Sequence, residues 1–179
     1  MFDHYPFAMP ALPYRSLAPA VSDETLAAQI ARLQADTNAL NGLLEPMKTH
    51  HQYPLITLCN ARRPDLRKLA QTVYCQRFFL EGMAQSPKRL PRGRLAEAIR
   101  QSYGSFDNWK STLLKCQTNT WRWLAWDGRR LRIVWGTIPT MPIVALAPGC
   151  GEEWLQTISW PTADARFFSY NYLPSNKSR

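Results

Sequence analysis

Histidine is nearly missing from this chain: 179 residues hold three, His4, His50 and His51. Any site built on several imidazoles has little to draw on, and His50-His51 reads as a pair of exposed loop residues. The four cysteines, Cys59, Cys75, Cys116 and Cys150, contain no C-x-x-C pair. That argues against a zinc knuckle and gives no sign of an oxidising compartment, so buried free thiols are expected. No apolar run is long enough to span a bilayer, and no membrane partner is expected. A G-x-S-x-G elbow, a Walker pattern and a G-x-G-x-x-G loop are all lacking, which removes support for hydrolase, P-loop and dinucleotide chemistry. There is no internal repeat. The opening Met1-Phe2-Asp3-His4 has neither a basic signal-peptide head nor an Arg/Ser-rich transit pattern, and a cytoplasmic address is the expectation.

Acidic residues are also scarce, with 13 Asp and Glu against 22 Lys and Arg, for a net charge of +9. The excess gathers in patches: Arg62, Arg63, Arg67 and Lys68; Lys88, Arg89, Arg92 and Arg94; Arg129, Arg130 and Arg132. Such a balance favours anionic partners, nucleic acid above all, although any one cluster taken alone reads as a solvated face. Apolar residues make up 45% of the chain, with seven each of Trp, Tyr and Phe. That is enough for a packed core and argues against wholesale disorder.

Residues 1–21 read as an extended arm rich in Pro and aromatics. Ser22 is a fitting N-cap for a helix to Leu44, with Asp23 and Glu24 in its first turn. Leu26, Ile30, Leu33, Thr37, Leu40 and Leu44 give that helix a stripe at spacings of three and four. A second helix is predicted from Pro64 to Met83, burying Leu66, Leu69, Val73, Phe79 and Leu80. The two make an α-hairpin. Ser86-Pro87-Lys88 and Pro91-Arg92-Gly93 form a basic linker, giving an N-terminal arm and α-hairpin domain over 1–86 and a C-terminal domain over 87–179. In the latter, helices are predicted near Leu95–Tyr103 and Phe106–Cys116. A β-hairpin, Trp121–Trp126 and Leu131–Trp135, turns at Asp127-Gly128. A third strand is expected near Leu155–Ser159, after an irregular stretch from Pro139 to Gly151.

Ala11-Leu12-Pro13-Tyr14 with Leu17-Ala18-Pro19 and Ser22-Asp23-Glu24-Thr25, then Tyr103-Gly104-Ser105-Phe106, then Trp121-Arg122-Trp123-Leu124, occur in an order that resembles the iron/manganese superoxide dismutases. The resemblance covers about residues 12–170. It implies an α+β fold: an N-terminal α-hairpin followed by an α/β lobe with a three-stranded antiparallel sheet, here C-terminally shortened. Members of the family hold one metal with three histidines and one aspartate. Counting from Glu24-Thr25, the first ligand falls at Gln29, and the two residues that gate substrate fall at Leu33 and Thr37. The second ligand falls at Gln76 within Tyr74-Cys75-Gln76-Arg77-Phe78-Phe79-Leu80. Matching Thr157-Ile158-Ser159-Trp160 to the third strand puts the aspartate near Ser159 and the histidine near Ala163 or Asp164. A rival register through Pro142-Ile143-Val144-Ala145-Leu146 puts them at Ala147 and Gly151. The usual places of the family's outer-sphere glutamine fall near Thr72 and Thr140.

On this reading the ligands are lost, Gln29 and Gln76 satisfy each other in a core, and no cofactor is expected; iron or manganese belongs to the chain only if the site reading is wrong. The Glu-His pair that locks family dimers is also lost, so a homodimer by that route does not carry over. Three functions follow, with the balance against an enzyme. The first is a non-catalytic scaffold or binding protein. The second is an RNA-binding structural subunit like the superoxide dismutase-like proteins of mitochondrial ribosomes, with a mitochondrial address. There Arg62, Arg63, Arg67, Arg92, Arg94, Arg129 and Arg130 would contact phosphates, and Trp109, Trp126 or Trp135 would stack on bases, core packing being the commoner role of such residues. The third is a metal-dependent superoxide dismutase.

Overall fold

The structure, a computed structural model, describes residues 3–85, 90–116 and 118–171. The linker residues Ser86, Pro87, Lys88 and Arg89 and the stretch 172–179 lie outside the described residues. The chain divides into two compact units, Met1–Glu81 and Gly82–Arg179. The division falls before the expected linker because residues 82–85 are tied into the second unit. Ser159 N donates to Gly82 O and Ala84 N to Thr157 O, each at 2.8 Å, and Met83 bridges Ile158.

In the first unit, α1 runs from Asp23 to Leu44, α2 from Leu55 to Leu58 and α3 from Pro64 to Glu81. Ser22 caps α1, its Oγ accepting from Thr25 N at 3.2 Å, which satisfies an orphan donor of the first turn. Pro64 opens α3, where the missing N–H costs nothing. Leu26, Leu33, Leu40 and Leu44 are the buried stripe of α1, and Leu66, Ala70, Val73, Phe79 and Leu80 that of α3. Each fully buried Leu contributes about 1.5–3 kcal/mol. Leu69 is half-buried, lying at the margin of that face. The arm has no regular structure but is pinned down. Asn41 clamps the Phe7 backbone through its Oδ1 (2.8 Å from the N–H) and Nδ2 (2.9 Å from the carbonyl), and Tyr14 OH donates to Leu80 O at 2.6 Å.

In the second unit, α4 (Gly93–Tyr103) and α5 (Phe106–Lys115) precede the strands β1 (Arg122–Trp126), β2 (Leu131–Trp135) and β3 (Pro142–Leu146), then α6 (Glu152–Leu155) and α7 (Trp160–Asn171). Gly104 ends α4 at φ +82°, and Ser105 caps α5 through Asn108 N. The sheet is antiparallel in the order β2-β1-β3, with Arg122 opposite Trp135 on one side and Leu146 on the other. α4 lies against β2, α7 against β3, and these helices touch each other. The α+β fold with a three-stranded antiparallel sheet is therefore present. Its third strand is not at Leu155–Ser159, where α6 ends and only the single bridge at Ile158 forms. It is at Pro142–Leu146, buried along its whole length.

Candidate functional site

On α1, Gln29 is half-buried, while Leu33 and Thr37 lie fully inside. Thr37 Oγ1 has no hydrogen-bond partner among the described residues. On α3, Gln76 Nε2 donates to Asp36 Oδ2 at 2.8 Å, and Gln76 Oε1 is buried with no partner among the described residues. The expected Gln29–Gln76 pairing is thus corrected: the hydrogen bond of Gln76 goes to Asp36. A carboxylate acceptor gives a charge-assisted bond, stronger than an amide–amide one. Asp36 was missed from the sequence. Its signal was position, beside the stripe residue Thr37 on a helix that packs against the one carrying Gln76.

In the second unit the backbone follows the register through Pro142–Leu146, so the positions after the third strand are Ala147 and Gly151. Ser159 and Ala163 are corrected to a structural role at the head of α7. Ser159 O accepts from Ala163 N at 3.0 Å, and its Oγ pairs with Thr162 Oγ1 at 2.8 Å. Asp164 is exposed on the same helix. Thr72 is exposed and donates to Lys68 O, and Thr140 is exposed. Among the described residues, no three His, Cys, Asp or Glu side chains cluster so as to hold a metal ion. His50 and His51 are half-buried rather than exposed. His51 Nε2 donates to Leu44 O at 2.7 Å and its ring stacks on Tyr5.

The basic candidates divide by what they already do. Arg63 pairs with Asp65 at 2.7 Å, and Arg67 donates to Ala61 O and Arg62 O. Arg62, Arg92, Arg94, Arg129 and Arg130 are exposed and make no ion pair among the described residues. Of the three tryptophans considered for stacking, Trp109 is fully buried against Phe106 and Trp160, and Trp126 packs edge-on to Phe167. Trp135 alone is open, at 53% exposure on the edge strand β2.

Arg122 went unnoticed as a site residue. It is 1% exposed, and among the described residues its guanidinium donates only to backbone carbonyls: Cys150 O at 2.5 Å, Ala147 O at 3.4 Å and Leu113 O at 3.5 Å. Its Nε–H has no acceptor among the described residues. Burial pulls the Arg122 pKa below its ordinary value, against the thiol groups of Cys150 and Cys116, which favour its charge. The sequence signal was its phase: Arg122 shares a face of β1 with Leu124.

Residues 91–147 match the family described as iron/manganese superoxide dismutases, C-terminal domain. The chain is 33% identical over 129 residues to the superoxide dismutase [Fe] of Legionella pneumophila, covering 68% of this chain and 66% of that protein. It is 29% identical over 131 residues to the superoxide dismutase [Fe] of Bacteroides fragilis, covering 68% and 67%. Over 95 residues it is 30% identical to the mitochondrial superoxide dismutase [Mn] of Apostichopus californicus, covering 51% and 66%. The chain spans about two thirds of the length of these relatives. They overturn the expectation that no cofactor belongs here: the relatives are named for iron or manganese, and a metal of that class is the one the chain must be tested against. The residues present do not fit it well. Gln29 and Gln76 offer neutral amide oxygens, and Ala147 and Gly151 offer no side-chain donor, where a redox ion of this class prefers imidazole and carboxylate.

Proposed function

Because the chain belongs to the iron/manganese superoxide dismutase family, we propose that it uses that family's fold as a non-catalytic scaffold or binding protein. One observation carries the reading: the family's gate positions hold interior side chains, and its ligand positions hold no imidazole or carboxylate. Leu33 and Thr37 are interior, Gln76 is held by Asp36, and Ala147 and Gly151 present no donor. Dismutation needs an ion that changes oxidation state while its ligands hold it, and such control comes from ligand identity and the groups that orient the ligands. A fold does not supply that by itself. The test is to load the purified full chain with iron(II) or manganese(II), remove free metal, and follow superoxide loss. The expected rate equals that of the same buffer without protein. Dismutation that scales with metal retained per chain overturns the reading.

A second reading, RNA binding, is favoured by Arg129 and Arg130, exposed and without an ion pair among the described residues at the tip of the β1–β2 hairpin, together with the open indole of Trp135. Cations at one end of an edge hairpin and an open indole at the other suit a single strand laid along it, whose phosphates and bases they meet separately.

A further inference from the structure

Two of the four cysteines lie on the segments joined by Arg122, the one buried guanidinium among the described residues of the second unit. Cys116 is the C-cap of α5, half-buried, its Sγ–H donating to Thr112 O at 3.2 Å. Cys150 closes the turn after β3, 6% exposed, its N–H donating to Ala147 O at 3.1 Å. The loops that carry them are joined, since Gly149 N donates to Thr118 O at 2.8 Å. Arg122 fastens the same two segments from beneath, through Leu113 O on α5 and Cys150 O on the turn. A buried cation with only carbonyl dipoles bonded to it among the described residues, and one N–H left over, is short of an anion. Leu113 O, which accepts from Arg122, also accepts from Cys116 N at 3.3 Å, so both cysteines border the guanidinium, and both favour its charge. Tyr103 of α4 also couples to Cys116, but burial raises its phenol and keeps it neutral near pH 7.

Cys59 and Cys75 form a contrast in the first unit. Both are buried, and desolvation pushes each thiol up to about 12, helped by Asp3 at Cys59 and by Cys59 at Cys75. No cation is among the causes acting on them, and buried thiols of that kind are inert.

We propose that Cys116 and Cys150 are a peroxide-oxidised dithiol, with Arg122 as its positioning cation. The Cys116 thiolate attacks one oxygen of hydrogen peroxide. The O–O bond breaks, hydroxide leaves and takes up the proton the thiol released, and Cys116 becomes a sulfenic acid. The Cys150 sulfur then attacks the Cys116 sulfur, forming the S–S bond and expelling the sulfenic oxygen, which leaves as water with the Cys150 proton. Two thiols and one peroxide give one disulfide and two waters, the two electrons passing from sulfur to oxygen. The product staples the end of α5 to the turn after β3. This inference does not rest on the scaffold reading.

The experiment is to expose the reduced full chain to hydrogen peroxide, block the remaining thiols and map every cysteine by mass spectrometry. Expected is a Cys116–Cys150 linked peptide, with Cys59 and Cys75 still reduced. Cys150→Ser should halt at a sulfenic acid on Cys116 that a dimedone probe traps, and Cys116→Ser should leave Cys150 reduced. Arg122→Gln should slow oxidation about tenfold, while Arg122→Lys restores the wild-type rate. If Arg122→Gln fails to fold by circular dichroism, the two serine variants still decide the matter. Oxidation of Cys59 and Cys75 at the same rate, a link between two chains in place of one within the chain, or no Cys116–Cys150 peptide would overturn the proposal.

Discussion

Tyr14 is a phenol enclosed by the arm and the end of α3, and its hydroxyl is the donor that pairs Leu80 O. Burial first, then the charge of Glu81, raises its pKa above the ordinary value of 10. The folded state therefore favours the neutral phenol more than the unfolded chain does. That stabilisation is complete below the unfolded pKa of about 10 and is lost as pH rises through it toward the folded value. Tyr14→Phe removes the hydrogen bond and leaves a buried carbonyl unpaired, lowering stability by about 1–2 kcal/mol at pH 7. Because the variant has no phenol to ionise, the gap between it and wild type should narrow above pH 10. Urea unfolding at the two pH values measures this; a gap that stays constant or widens means the phenol does not carry the alkaline sensitivity. The same scale shows where residue reading fell short. Leu33 and Thr37 were placed on the inner face of α1 and are there, but the acceptor of Gln76 was not legible, because Asp36 lies one residue off the apolar stripe.

Among the elements, the β1–β2 hairpin was the most legible, and for a physical reason. Asp127 Oδ1 accepts from the N–H groups of both Arg129 and Arg130, and Gly128 supplies φ +97°. Those backbone bonds, with that of Arg130 leading and the Arg132 ion pair adding, hold the Asp127 carboxyl well below the usual range. An added Cβ at Gly128 meets no atom within 4 Å, so Gly128→Ala carries backbone strain alone. The expected loss is about 1–2 kcal/mol, with Gly128→Asn losing visibly less, since Asn tolerates the left-handed region. Thermal melts of the two variants would show it, and equal losses would mean that something other than φ limits the turn. The third strand was misread for an equally physical reason. Pro139, Pro142, Pro148, Gly149 and Gly151 make the stretch look irregular, yet Pro142 opens β3 at the edge of the sheet, where a missing donor is tolerated. Thr157-Ile158-Ser159 has the composition of a strand but lacks the neighbours, and it forms one bridge before α7 begins.

At the scale of the whole molecule, the charge of +9 was plain from composition, but not which cations were at liberty. Arg63 and Arg67 are occupied within their unit, whereas in the second unit Arg92, Arg94, Arg129 and Arg130 are exposed and unpaired among the described residues. If the RNA reading holds and these four neutralise phosphates of a single strand, log K should fall against log salt with a slope of about −3, from roughly −0.7 per phosphate. Removing two of them in Arg129→Ala/Arg130→Ala should flatten that slope by about 1.4. Trp135 would contribute differently. Stacking on an open indole is worth about 1–3 kcal/mol per base and releases no counterions, so Trp135→Ala should weaken binding at every salt concentration and leave the slope unchanged. Fluorescence anisotropy of a labelled single-stranded RNA across a salt series separates the two effects, with heparin as a polyanion that has no bases. If Trp135→Ala binds RNA as wild type does, and heparin competes as well as RNA, the basic surface attracts anions in general and recognises no nucleic acid. A parallel downward shift for Trp135→Ala beside a flattened line for the arginine pair would instead locate a strand on β2, because no unspecific attraction produces both.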